Sequence, residues 1–160
     1  MKLGIKNRLA IVTGGATGIG FAIANNLAKE GVKVIISSRN KKSLNEAVLK
    51  LKKINSSCHG IVIDVSKKNG PRQLVQKIIK KHKHIDILVN NVGDTLNILD
   101  PYCNEDQWIK LFKLVLGVAI KMNNLVIPYM TKKKWGRIVN ITAGASMENS
   151  GPVPYSSLKA

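Results

Sequence analysis

A tyrosine and a lysine four residues apart, Tyr155 and Lys159, lie next to the last residue of this chain, Ala160. At that spacing both side chains fall on one face of a helix. A free phenol has a pKa near 10, and an ammonium beside it stabilises the phenolate and lowers that value toward working pH. Such a pair can pass a proton to or from a carbonyl oxygen. Near the other end runs Thr13-Gly14-Gly15-Ala16-Thr17-Gly18-Ile19-Gly20. Gly14 permits a tight turn, while Gly18 and Gly20 let the backbone approach a phosphate at a helix N-terminus, whose N–H groups and dipole favour an anion. Together the two groups point to redox chemistry with a nicotinamide cofactor.

These residues need a scaffold, and short aliphatic runs alternating with longer helical patterns supply it. Leu9 to Thr13 reads as a buried strand, and Ile19 to Glu30 as a helix stopped by Gly31. Val32 to Ser37 is a second strand. Leu44, Ala47, Val48, Leu51 and Ile54 recur at helical spacing within Lys42 to Ile54. His59 to Ile63 is a third strand, and Pro71 opens a helix through Leu74, Val75, Ile78 and Ile79. Ile85 to Asn90 is a fourth strand. One long helix is predicted from about Glu105 to Val126, ahead of Pro128, with its Met122-to-Val126 part short of a packing partner. Gly136 to Thr142 is a fifth strand, and a last helix starts near Tyr155. The alternation predicts an α/β fold, a doubly wound parallel sheet with helices on both faces, and one domain over residues 1–160.

The net charge is +17, from 22 lysines, Arg8, Arg39, Arg72 and Arg137 against nine acids. Nucleic-acid readers lean on arginine and aromatics, and aromatics here make up only 4% of the chain. The lysines read as solvated charge scattered over helix faces and turns, with weak, salt-sensitive affinity for polyanions and no specific nucleic-acid partner. Cys58 and Cys103 have no CxxC spacing and the three histidines no ligand spacing with them, so no metal site is predicted and a reducing, cytoplasmic compartment is expected. Leu9 to Ala24 is uncharged like a signal peptide, but its glycines and threonines favour strand–turn–helix. No uninterrupted apolar run approaches the ~20 residues of a membrane span.

Taken in order, these motifs resemble the short-chain dehydrogenase/reductase family. Thr13 to Gly20 is similar to its TGxxxGxG loop, Asp64-Val65 to its adenine-contacting pair, and Asn90-Asn91-Val92-Gly93 to its NNAG segment. Tyr155 to Lys159 matches its YxxxK. The nearest flavour is the 3-oxoacyl-carrier-protein reductase type. The resemblance implies a Rossmann-like fold lacking the family's C-terminal strands, and a cofactor held by Thr13, Gly14, Gly18, Ile19, Gly20, Ser38, Arg39, Asp64, Val65, Asn91, Gly93, Tyr155 and Lys159. It implies a carbonyl substrate, a small molecule or an acyl thioester, and a homo-oligomer if the chain were complete. Tyr155 would donate the proton, with Lys159 supporting it. After the second strand stands Ser38-Arg39-Asn40 with no acid, so Arg39 favours a 2′-phosphate and NADP(H) over NAD(H).

Two positions depart from the family. Its carbonyl-orienting serine falls on Ala143, leaving Thr142 or Ser146 as stand-ins, and its helix asparagine falls on Val115. A nucleotide-binding relative without turnover, or a truncated and decayed product, therefore stands beside the reductase reading.

Overall fold

The computed structural model describes residues 3–148 and 151–160. Five strands form one parallel sheet in the order β3-β2-β1-β4-β5. They are β1 (Leu9–Thr13), β2 (Lys33–Ser38), β3 (His59–Val62), β4 (Ile87–Asn90) and β5 (Arg137–Asn140). The order reverses between β1 and β4, where a crevice opens beyond the carboxyl ends of the strands.

Alternation along the strands sorts side chains into two layers. Ala10, Val12, Val34 and Ile36 face α1 (Gly18–Lys29) and α2 (Lys41–Ile54), where Ala24, Ala28, Leu44, Ala47 and Leu51 complete a buried cluster. Leu9, Ile11, Ile35 and Leu88 face the other way, against α3 (Gly70–His82) and the helix that follows β4. α2 starts where the Asn40 side chain accepts the Ser43 N–H at 3.0 Å. Pro71 sits in the first turn of α3, as proline tolerates.

The long helix predicted after β4 is two helices, α4 (Glu105–Val115) and α5 (Gly117–Lys132). α4 opens with a reciprocal cap between Asn104 and Gln107, and Glu105 and Asp106 complement its dipole. The break falls at Leu116, just ahead of Gly117, a weak helix former. α5 then runs through Pro128 instead of stopping before it. The carbonyl that proline frees belongs to Asn124, an exposed residue that water can reach. By length and composition the 28 residues Glu105–Lys132 would pass as a membrane span. In the fold, Val118, Met122, Val126 and Met130 are buried in the cluster shared with the sheet and α3. The Met122-to-Val126 part thus has its partner, α3. Met122→Ala is expected to cost about 3 kcal/mol of stability through lost burial and a cavity, measured by urea unfolding.

Asp86, just ahead of β4, is fully buried and holds the N-terminal ends of the strands together. Its Oδ2 accepts the Leu9 N–H at 2.8 Å, and its Oδ1 accepts Lys133 Nζ at 2.6 Å. Arg8 and the His84 imidazole lie at 3.6 and 3.3 Å. Among the described residues, every ion pair falls on this one carboxylate. Burial pushes the Asp86 carboxyl up, but the Lys133 hydrogen bond, the Leu9 N–H and the charges of Lys133 and His84 outweigh it and hold it below its ordinary value.

Two short helices close the chain, α6 (Ala145–Glu148) and α7 (Val153–Leu158). α7 begins two residues before Tyr155, and Lys159 caps it with its N–H still bonded to the Tyr155 carbonyl at 3.0 Å.

Candidate active site

A cleft of about 290 Å³ lies beyond the carboxyl ends of β1 to β4. Gly14, Ser38, Arg39, Asp64, Val65, Asn91 and Gly93 line it, seven of the residues expected to touch a cofactor. Thr17, Val92 and Asp94 line it too. Sequence reasoning passed over these three, although each sits inside or beside a motif it used.

The glycine loop has the shape the sequence required. Gly14 and Gly18 have φ of +62° and +53°, and a Cβ on Gly18 would meet nothing within 4 Å. Gly20 is buried, and a Cβ there would run into the Gly14 carbonyl and come within 2.5 Å of Asn91 Nδ2. It lets α1 close on the loop instead of touching the cleft. Thr17 caps α1 without a side-chain hydrogen bond, so the first N–H groups of that helix have no side-chain acceptor there. An open loop, uncapped N–H donors and the adjacent Arg39 fit a phosphate-bearing dinucleotide. Ile19 is 65% exposed and stands outside the cleft.

Thr13 does not offer its hydroxyl to the cleft. Fully buried, it donates to the Val89 carbonyl at 3.3 Å and accepts the Asn91 N–H at 3.0 Å. The Asn91 amide in turn donates to the carbonyls of Thr13 and Gly14, both at 3.2 Å. This lattice fixes the end of β4 to the glycine loop. Asp64 Oδ1 accepts both the Ser66 N–H and hydroxyl, at 2.9 and 2.6 Å. The hydroxyl bond leads in holding the Asp64 carboxyl below its ordinary value, with Lys67 and Arg39 adding to it.

Tyr155 and Lys159 meet at Gly93. A Cβ there would lie 2.6 Å from Lys159 Cε, so glycine leaves room for the lysine, and 3.6 Å from Tyr155 Oη, an ordinary contact. Lys159 is 8% exposed, and its ammonium donates to the Ile141 carbonyl at 2.7 Å. Burial pulls its pKa down. The Tyr155 phenol is pushed up, by burial first and then by the Asp94 carboxylate. The expected lowering by the lysine is therefore not what this geometry gives: the ammonium is turned to a backbone carbonyl, while burial and the Asp94 charge act on the phenol.

The two departures from the motif also have places. Val115 is buried in a cluster with Leu111 and Ile98, against which Tyr155 and Leu158 pack. Thr142 lies beyond the end of β5, exposed, and lines a second pocket of about 130 Å³ with Lys159, Asn123 and Asn140. Ser146 donates its hydroxyl to the Ser156 carbonyl at 2.8 Å, which ties α6 to α7 beside Tyr155. That bond uses its proton, so it supports the tyrosine's helix rather than a carbonyl.

A family model described as short chain dehydrogenase matches residues 8–160. The chain belongs to the short-chain dehydrogenase family. Relatives agree with that membership. A 3-oxoacyl-[acyl-carrier-protein] reductase of Thermotoga maritima is 29% identical over 157 residues, 98% of this chain and 64% of the relative. A mouse protein, dehydrogenase/reductase SDR family member 4, is 35% identical over 84% of this chain and 49% of its own length. The crystal structure of L-sorbose reductase from Gluconobacter frateurii, complexed with NADPH and L-sorbose, superposes with a TM-score of 0.91 at 27% identity, covering 99% of this chain and 61% of that one. This short-chain dehydrogenase chain thus spans between about half and two thirds of these proteins.

Proposed function

We propose that residues 1–160 form one nicotinamide-cofactor unit of an oxidoreductase that interconverts a carbonyl and an alcohol. The observation that carries this reading is Tyr155 and Lys159 together at Gly93, on the rim of a cleft whose glycine loop fits a dinucleotide phosphate. The nicotinamide, when bound, supplies the hydride. Gly14, Gly18 and the start of α1 would hold the phosphates, Asp64 and Val65 would border the adenine end, and Asn91 and Gly93 would shape the floor. Tyr155 holds the proton at Oη for the substrate oxygen. Lys159 would bind the cofactor's ribose hydroxyls with the ammonium protons that Ile141 leaves free. Thr142 is the polar group left to orient the carbonyl.

NADP(H) is the preferred cofactor in this reading, because Arg39 lines the cleft right after β2 and no acid stands in Ser38-Arg39-Asn40. The NADPH-bound sorbose reductase supports it by likeness. Arg39→Ala is expected to lower the preference for NADPH over NADH by about 10- to 100-fold, the worth of charge-assisted bonds to a phosphate. Titrations with both reduced cofactors check it. The substrate is a small ketone or a 3-oxoacyl thioester, the latter by likeness to the Thermotoga relative. The exposed stripe Ile109, Phe112, Leu116, Ile120 and Ile127 on α4 and α5 supports a homo-oligomer. The two free cysteines suit a reducing cytoplasm.

The test is NADPH consumption with a panel of 3-oxoacyl thioesters and simple ketones. Turnover that depends on Tyr155 supports the reading. The apolar Val115 packed with Tyr155 favours a second one, a relative that binds nucleotide without turnover. NADPH binding with no turnover across the panel would decide for it.

A further inference from the structure

A group of the lysines gathers at one end of the molecule. In a parallel sheet with helical crossovers, every helix returns to the end where the strands begin. Here the helices that return carry lysine in their last turns: Lys29 in α1, Lys52 and Lys53 in α2, Lys80 and Lys81 in α3, and Lys132 in α5. Lys33 starts β2 beside them, and Lys134 precedes β5. All of these are exposed. This end lies opposite the cofactor cleft, which opens beyond the carboxyl ends of the strands.

Glu30 caps α1 beside Lys29, yet none of these lysines makes an ion pair among the described residues. Among the described residues every ion pair goes to Asp86, a single buried carboxylate. The positive field is felt nearby. His59, at the start of β3, and His82, at the end of α3, stack at 5.4 Å, and both imidazoles are held below their ordinary value, by burial first and then by charges that include Lys52, Lys81 and Lys33. Helix dipoles explain why cations suit these positions. They do not supply the anions that so many unpaired lysines must draw from solution.

We propose that the basic end of the molecule, formed by Lys29, Lys33, Lys52, Lys81, Lys132 and Lys134, binds the phosphodiester backbone of a nucleic acid. The chemistry fits backbone contact and not base reading. Lysine meets a phosphate as a point charge, whereas bidentate reading of bases falls to arginine and stacking to aromatics. The one tryptophan at this end, Trp135, already has Arg8 at 3.8 Å and Arg137 at 5.0 Å from its ring centre. The same feature argues against a membrane surface, which is held by aromatic and apolar side chains inserting between lysines. This surface is independent of the cofactor cleft, and so of the reductase reading.

The experiment is fluorescence anisotropy of a labelled 20-nucleotide single-stranded RNA of mixed sequence with the full chain. With about four phosphates neutralised, affinity should fall roughly 50-fold between 50 and 200 mM salt. The variant Lys33→Glu/Lys52→Glu/Lys81→Glu/Lys132→Glu should lose at least about ten-fold in affinity and most of the salt dependence. Lys41→Glu/Lys42→Glu/Lys110→Glu/Lys121→Glu carries the same charge change elsewhere and should keep most of the affinity. Equal losses in the two variants would mean net charge alone acts, and would overturn the proposal. Displacement of the RNA by excess NADPH would overturn it too, by moving the contact to the cleft. So would no binding at 50 mM salt, or tighter binding to phosphatidylserine-containing vesicles than to the RNA. Both variants need a cooperative melt like that of the parent, which substitutions at exposed sites should leave intact.

Discussion

Replacing Tyr155 by phenylalanine is expected to lower kcat for carbonyl reduction by about 10²–10⁴, the usual worth of a positioned proton donor. Affinity for the reduced cofactor and the melting temperature should barely change. The ring packs with Ile98, Leu111 and Val115, and phenylalanine keeps that contact. The pH profile carries the same information. Burial and Asp94 raise the phenol above its ordinary 10.0, so the proton-bearing form persists through neutral pH. Reduction should therefore stay level there and fall only on the alkaline side. Asp94→Asn removes the raising charge and should move that alkaline limb to lower pH. Tyr155→Phe enzyme with undiminished turnover would end the assignment of this residue.

The second large effect belongs to stability. Asp86→Ala should cost about 3 kcal/mol, because it strips the Leu9 N–H of its acceptor and leaves Lys133, Arg8 and His84 facing each other. For a chain of this size that corresponds to a fall of roughly 10 °C in Tm. The acid side provides the control. The carboxyl's folded-state pKa lies below the unfolded value of about 3.9, so its stabilisation is present above that pH and is lost as pH falls through the lower, folded value. The parent should lose stability steeply below about pH 4, whereas the variant should lack this component. Calorimetry over an acid series measures both. Equal Tm values at pH 7 would refute the role given to Asp86.

Much of this molecule was legible in its residues. The five strands, their parallel pairing and the first three helices follow from aliphatic runs, helical spacing and the stops at Gly31 and Pro71, all local signals. The glycine loop was legible because positive φ and close approach leave few other residues for those places. Spacing said nothing of tertiary contact, which is why the partner of Met122 went unseen and why the break at Leu116 was missed. Asp86 is one of nine acids in the sequence, and only the fold shows that four groups converge on it. At the site, the motif put Thr13 against the cofactor, but its hydroxyl is taken up by Asn91 and Val89. The pair Tyr155 and Lys159 was found by its spacing. The direction of the phenol's shift was not, because it depends on burial and then on Asp94, a neighbour in space and not in the helix.

The position of β1 in the sheet also sets a timetable. Its neighbours are β2, next in the chain, and β4, whose partner groups lie 77 residues away at the Leu9–Asp86 bond. A ribosome adding about 5–20 residues per second finishes β2 roughly 3–10 s before β4. For those seconds the nascent chain carries a strand of four apolar residues and a threonine, Leu-Ala-Ile-Val-Thr, with one bare edge. A holding chaperone, or a pause that leaves this half outside the tunnel, would act on the molecule in that interval and on no later one.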